Sequence, residues 1–218
     1  MVSPAGLDGH NFEVTLVADA VGKAVEFARG NRVRFVEELK ALLRIPSVST
    51  LPEHAGDVRR AAEFVAAELR RIGMENVRLI ETVTKEHPDG HPLVYADWLH
   101  AAPAADGRTK PTVLCYGHYD VQPPDPLDEW KSPPFEPEER DGNIYARGAV
   151  DDKGQMWMHV KALESLMAAG GGKLPVNVRV IVEGEEEVGG EGIATFVHEH
   201  SDQLKADVAL VSDTEMFA

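Results

Sequence analysis

Three short apolar runs dominate the second half of this chain: Thr112–Tyr116, Val176–Val182 and Val208–Val211. The first is a short run of the kind a central buried strand shows, and the other two also read as strands. Stretches with helical spacing separate them. Asp152–Ala168 carries Met156, Val160, Leu163, Leu166 and Met167 and stops at Gly170–Gly172, and Glu191–His200 reads as a shorter helix. Strand, helix, strand, helix, strand in series predicts an α/β fold with a largely parallel sheet, since parallel neighbours require crossover connections.

The first half fits the same scheme. From Asp19 to Leu43 the apolar residues Val21, Val25, Ala28, Phe35, Val36, Leu39, Leu42 and Leu43 recur at helical spacing, with Gly30 able to split the segment in two. Pro46 ends it, because the ring lacks an N–H and disfavours helix in the residue before it. Residues 1–18 read as a lead-in that includes a short apolar run at Phe12–Val17. Asp57–Ile72 repeats the helical pattern and has Gly73 as its stop. Val77–Val83 and Leu93–Trp98 read as strands joined through a turn at His87–Gly90. Residues 100–110 form an exposed loop, the prolines between 123 and 137 a rigid one, and Asp141–Gly142 a hairpin turn leading into Asn143–Arg147.

Composition excludes several functions. With 22 Lys+Arg against 37 Asp+Glu the formal net charge is −15, the wrong sign for neutralising nucleic-acid phosphates. One cysteine rules out an intrachain disulfide framework and suits a reducing, cytoplasmic setting. No window approaches the roughly 18–20 unbroken apolar residues of a membrane span, and Met1–His10 show no secretory pattern. An acidic chain can, however, gather carboxylates around a metal.

The positions of the acids matter more than their number. The run at 112–116 leads into His118 and Asp120, the run at 176–182 into Glu185, Glu186 and Glu187, and the run at 208–211 into Asp213; Asp151–Asp152 opens a helix. In parallel α/β sheets ligands collect beyond the carboxyl ends of the strands. Carboxylates crowded there must be protonated or held by a cation. One imidazole with three or four carboxylates suits zinc, cobalt or manganese better than calcium or magnesium, which prefer oxygen-only shells. Taken singly each piece has an ordinary explanation: a satisfied polar His, a solvated acidic turn at 185–187, a helix N-cap at Asp151–Asp152. Asp120, two residues from His118 in an extended segment, shares its face and can accept the second imidazole N–H.

Five blocks carry a family resemblance: Gly117-His118-Tyr119-Asp120-Val121-Gln122-Pro123, Trp130 through Pro137, Ala146 through Gly154, Glu183 through Gly190, and Ser212-Asp213. In order and spacing the chain resembles the aminoacylase and carnosinase family of co-catalytic zinc metallopeptidases, closest to its dipeptidase branch, over roughly residues 20–218. The resemblance implies a three-layer α/β sandwich with a mostly parallel twisted sheet, residues 19–218 forming the N-terminal portion of a catalytic domain. It implies two Zn2+ ions (Mn2+ or Co2+ as substitutes) and hydrolysis of dipeptides or short peptides by a water held between them. His118 and Asp213 would each bind one metal, Asp151 would bridge both through a residue followed by a cis peptide, and Glu187 would bind the second. Glu186 would be the general base and Asp120 would orient His118.

Family members run to about twice this length, with a lid and dimerisation domain followed by a final His ligand. No His here fills that role, since His159, His198 and His200 lie on helices. The chain alone is therefore expected to bind one metal well and to turn over dipeptides weakly, while a full-length form would be a homodimer acting on small peptides, without nucleic acid or membrane. An amide deacylase acting on N-acyl amino acids is the alternative within the family. A non-catalytic metal-binding remnant, or a plain α/β domain with an acidic rim, is the alternative outside it. Cys115 is expected to pack in a buried strand.

Overall fold

The computed structural model describes residues 9–85, 87–104 and 106–214. The chain runs through α1 (Gly9–Gly30), α2 (Arg32–Leu43), α3 (Ala55–Arg71), β1 (Glu75–Ile80), β2 (Leu93–Trp98), β3 (Thr112–His118), β4 (Glu138–Arg140), β5 (Asn143–Tyr145), α4 (Lys153–Ala169), β6 (Asn177–Glu183), α5 (Glu191–Glu199) and β7 (Val208–Val211). The main sheet has the order β1-β2-β6-β3-β7. β3 lies parallel to β6 and β7, whereas β2 runs antiparallel to both β1 and β6. Four of the five strands thus point one way, and β2 alone is reversed. β4 and β5 form a separate hairpin whose turn, Asp141–Gly142, has φ of 52° and 81° at its two central residues, the conformation that a tight hairpin demands.

The layers follow from the sequence pattern. α3 buries Val58, Ala61, Ala62, Val65, Ala66 and Leu69, spaced three and four apart along one stripe. That stripe and the apolar face of α4 cover one side of the sheet, meeting Val94, Ala96, Trp98, Cys115, Val178, Val180 and Val182. Cys115 is buried and its thiol is pushed up to about 11 by burial, in keeping with a packing role. α1 and α2 pack against α4. On the other side Leu93, Tyr95 and Ile181 pack with Phe196 of α5 and with Leu204. The result is a three-layer α/β arrangement. Among the described residues, no helix is long and apolar enough to cross a membrane.

The structure departs from the sequence reading in two places. Residues 9–18 belong to α1, where a lead-in was expected; residues 1–8 lie outside the described residues. From His10 to Val21 nothing interrupts a helix, and propagation from an anchored segment adds one hydrogen bond for each residue fixed. Gly30 does separate α1 from α2. β1 spans Glu75–Ile80 rather than Val77–Val83. Thr82 has left the ladder, and its hydroxyl donates to the His91 carbonyl at 2.7 Å.

Three helices are tied by a buried ionic knot. The carboxylate of Glu164 on α4 meets Arg34 of α2 at 2.7 Å, Arg71 of α3 at 2.7 Å and Lys161 of its own helix at 3.1 Å. Lys161 also pairs with Glu38 and Glu68. Glu38, Glu68 and Glu164 are close enough to hold a metal, but Lys161, Arg34 and Arg71 already occupy their oxygens. Burial opposes ionisation of Glu164, yet these three cations override it and hold its carboxyl at about 2. A folded-state value below the ordinary 4.5 contributes stability above pH 4.5, and that stability is lost as the pH falls toward 2. Glu164→Gln should lower unfolding stability by about 3 kcal/mol at pH 7, because it removes a carboxylate whose ionisation the folded state favours, although Arg34, Arg71 and Lys161 keep Glu38 and Glu68 as partners. Urea midpoints measured against pH check this: the gap between variant and parent should narrow steadily below about pH 4.

Candidate metal centre

Topology brings the chemistry together. β3, β6 and β7 are adjacent and parallel, so their carboxyl ends share one edge of the sheet. His118 is the last residue of β3, Asp213 lies two residues beyond β7, and Glu183 ends β6. Asp151 arrives from the loop that precedes α4. The result is a group in which His118, Asp151 and Asp213 each offer a ligand atom, all within 4.8 Å of one another. His118 Nε2 lies 3.1 Å from Asp151 Oδ1 and 3.7 Å from Asp213 Oδ2. The imidazole is fully buried, while the Asp151 side chain is about half exposed. The Asp151–Asp152 peptide is cis, as the resemblance implied.

The rear of the imidazole is fixed. Its Nδ1 is 3.1 Å from the Asp120 backbone carbonyl and 3.2 Å from the Asp120 carboxylate. The backbone oxygen therefore shares the orienting role that the sequence reading gave to the carboxylate alone. Asp120, itself fully buried, has further work: its Oδ2 accepts the Ser49 hydroxyl at 2.6 Å and the Glu187 backbone N–H at 3.2 Å. Ser49 belongs to a loop that runs alongside the segment after β3, where Ser47 donates its hydroxyl to Tyr119 O at 2.6 Å and Val48 pairs with Val121. One carboxylate thus gathers three segments behind the centre.

Asp152 differs from the N-cap reading. Its carboxylate makes no capping bond and instead accepts the His118 backbone N–H at 3.0 Å. Burial raises its carboxyl to about 6. Gly117 makes this approach possible: a Cβ there would lie 2.7 Å from Asp152 Oδ2 and 2.9 Å from Met156 Cβ.

The three consecutive glutamates separate by environment. Glu185 is buried and its oxygens are engaged, by the backbone N–H groups of His91 and Gly192, by Thr82 and by His87. It anchors the loops. Glu186 is exposed and Glu187 half-buried. Glu187 Oε2 accepts from Gln122 Nε2 at 2.6 Å. Burial, joined by the nearby Asp151 and Asp120, raises its carboxyl above the ordinary value. Glu187 stands outside the tight group of three. Gln122 and Ser49 were not singled out from the sequence for these roles; an amide or hydroxyl beside a motif carries no spacing signal of its own.

Burial disfavours a charged His118, but Asp120, Asp152 and Asp213 outweigh burial and raise the imidazole to about 10. The same carboxylates favour a positive charge at this position. One imidazole nitrogen and two carboxylate oxygens converging at this spacing fit a divalent ion of the zinc, cobalt or manganese kind.

An α/β domain with such a centre at the carboxyl edge of its sheet is the architecture of a metallohydrolase catalytic domain. The chain belongs to peptidase family M20/M25/M40, whose model it matches over residues 114–217. It is 36% identical over 185 residues to the cysteinylglycine-S-conjugate dipeptidase of Corynebacterium striatum, covering 84% of this chain and 37% of that protein. The crystal structure of human carnosine dipeptidase 1 superposes with a TM-score of 0.78 at 30% identity, covering 88% of this chain and 41% of that one. An M20 family metallo-carboxypeptidase from Sulfolobus solfataricus superposes at 0.67 with 33% identity, covering 81% and 36%. The chain therefore spans well under half the length of these relatives. The family read from the five motif blocks and the family matched here agree.

An imidazole ligates only when neutral, so a divalent ion and a proton would compete for His118. Titrating a divalent ion near neutral pH in buffers of different ionisation enthalpy should show about one proton released per ion, and His118→Ala should remove that release.

Proposed function

We propose that this chain provides the metal-binding portion of a hydrolase that cleaves dipeptides. The observation that carries the reading is the convergence of His118, Asp151 and Asp213 at one sheet edge, with exposed Glu186 and half-buried Glu187 following the adjacent strand. The peptidase and dipeptidase names of its relatives support the substrate class.

In this reading His118 and Asp213 would each bind the first ion, Asp151 would serve both ions and Glu187 would bind the second; zinc is the metal proposed. Bound there, the metal would supply a water of lowered pKa and would polarise the scissile carbonyl. Glu186 is the general base: it takes a proton from the attacking water and delivers it to the leaving amine. Its exposure leaves it free for that task, while the bond from Gln122 and the Asp120–backbone bond keep Glu187 in place. Asp120 holds His118 in the tautomer whose Nε2 faces the ions. A cytoplasmic setting and a homodimeric full-length form complete the proposal.

The deciding experiment is a panel of free dipeptides against N-acyl amino acids, run on the longest form the gene encodes, with and without chelator. Chelator-sensitive dipeptide cleavage is expected. Glu186→Gln should cut kcat by about a hundredfold to ten-thousandfold while elemental analysis shows the metal retained. Preference for N-acyl amino acids would move the assignment to a deacylase, and turnover surviving in Glu186→Gln would remove Glu186 as the base.

A further inference from the structure

Asp213 is the least supported of the three converging residues. The pairing of β7 with β3 ends at Tyr116↔Val211, two residues short of it. All four residues of β7 are exposed, Val208 and Val211 by about half. Neither a ladder nor a packed strand therefore fixes the backbone that carries this carboxylate.

Side chains from α4 take over. Gln155 and His159 lie one turn apart and so share a face of that helix. His159 Nε2 is 2.5 Å from Ser212 Oγ, on one side of Asp213. On the other side, the Gln155 amide donates to the Thr214 carbonyl at a longer 3.5 Å. The same amide nitrogen donates to the Val150 carbonyl, immediately before Asp151. Gln155 is buried, His159 and Ser212 are half-buried and Thr214 is exposed, so the bond to Ser212 is the better shielded of the two contacts. One amide joins the residue preceding Asp151 to the residue following Asp213, and one imidazole grips the residue preceding Asp213.

We propose that Gln155 and His159 are positioning residues that hold Asp213 against Asp151 and His118, so that the centre's affinity for a divalent cation depends on a clamp from α4. Neither residue touches the cation. The inference rests on the reading of Asp151 and Asp213 as ligands and adds to it the means by which an exposed strand end keeps a ligand within about an ångström of its place. A loose carboxylate would have to be ordered on binding, and that entropy would be subtracted from affinity.

The test uses the 218-residue chain and Co2+ as probe, with affinity read by competition against a chromophoric chelator, geometry by the cobalt absorption bands, and apo-protein melting temperature recorded alongside. Ser212→Ala and His159→Leu should each weaken Co2+ binding about tenfold or more and alter the bands. The double variant should bind no more weakly than the worse single one, because both remove a single contact. His159→Gln, which keeps a hydrogen-bonding group, should recover most of the affinity. Parental affinity and bands in Ser212→Ala, additive losses in the double variant, or a His159→Gln protein as weak as His159→Leu would each overturn the clamp. If Asp213→Asn binds Co2+ as the parent does, the ligand reading fails instead, so the two failures are told apart.

Discussion

A fully buried imidazole surrounded by carboxylates sets the terms for the rest of this molecule. His118 ends β3 without access to water, and Asp120, Asp152 and Asp213 around it favour a positive charge at its ring. Those acids in turn could not crowd together without a positive partner. The sheet order makes the encounter possible. With β3 between β6 and β7, groups almost a hundred residues apart in sequence arrive at one edge.

Around that edge the fold assigns adjacent residues to different tasks by controlling their exposure. Glu185 is withdrawn into the loops and consumed by donors, Glu186 is left to solvent, and Glu187 is held midway by Gln122. Asp151 and Asp152 divide similarly, the first toward the centre and the second onto the backbone of β3. Neighbouring acids of one chemical type thus come to differ in accessibility and in partners. Far from the centre, the knot of Glu164, Arg34, Arg71 and Lys161 locks α2, α3 and α4 together, so that α4 can act as a firm platform for the residues at its start.

Much of this was legible beforehand. The short apolar-rich runs marked the strands, although β7 proved exposed and β6 carries Asn177 and Arg179, and Gly30, Pro46 and the Asp141–Gly142 turn marked real boundaries. The three converging residues were foreseen because strand ends in a parallel sheet have a fixed relation to ligand sites. What escaped were the contacts made through backbone groups and short polar side chains. The Asp120 carbonyl behind His118, the Asp152 bond to β3 and the Ser212–His159 pair depend on how segments distant in sequence approach in space, and no periodicity encodes that. The early start of α1 escaped for another reason: a helix extends through indifferent residues once its neighbour is anchored.

β7 is paired along one side only among the described residues, and its apolar side chains face outward. Asp213 follows its end by two residues. On the metal-centre proposal, a strand added along that free margin would run up to the carboxylate and so bear on where it is held.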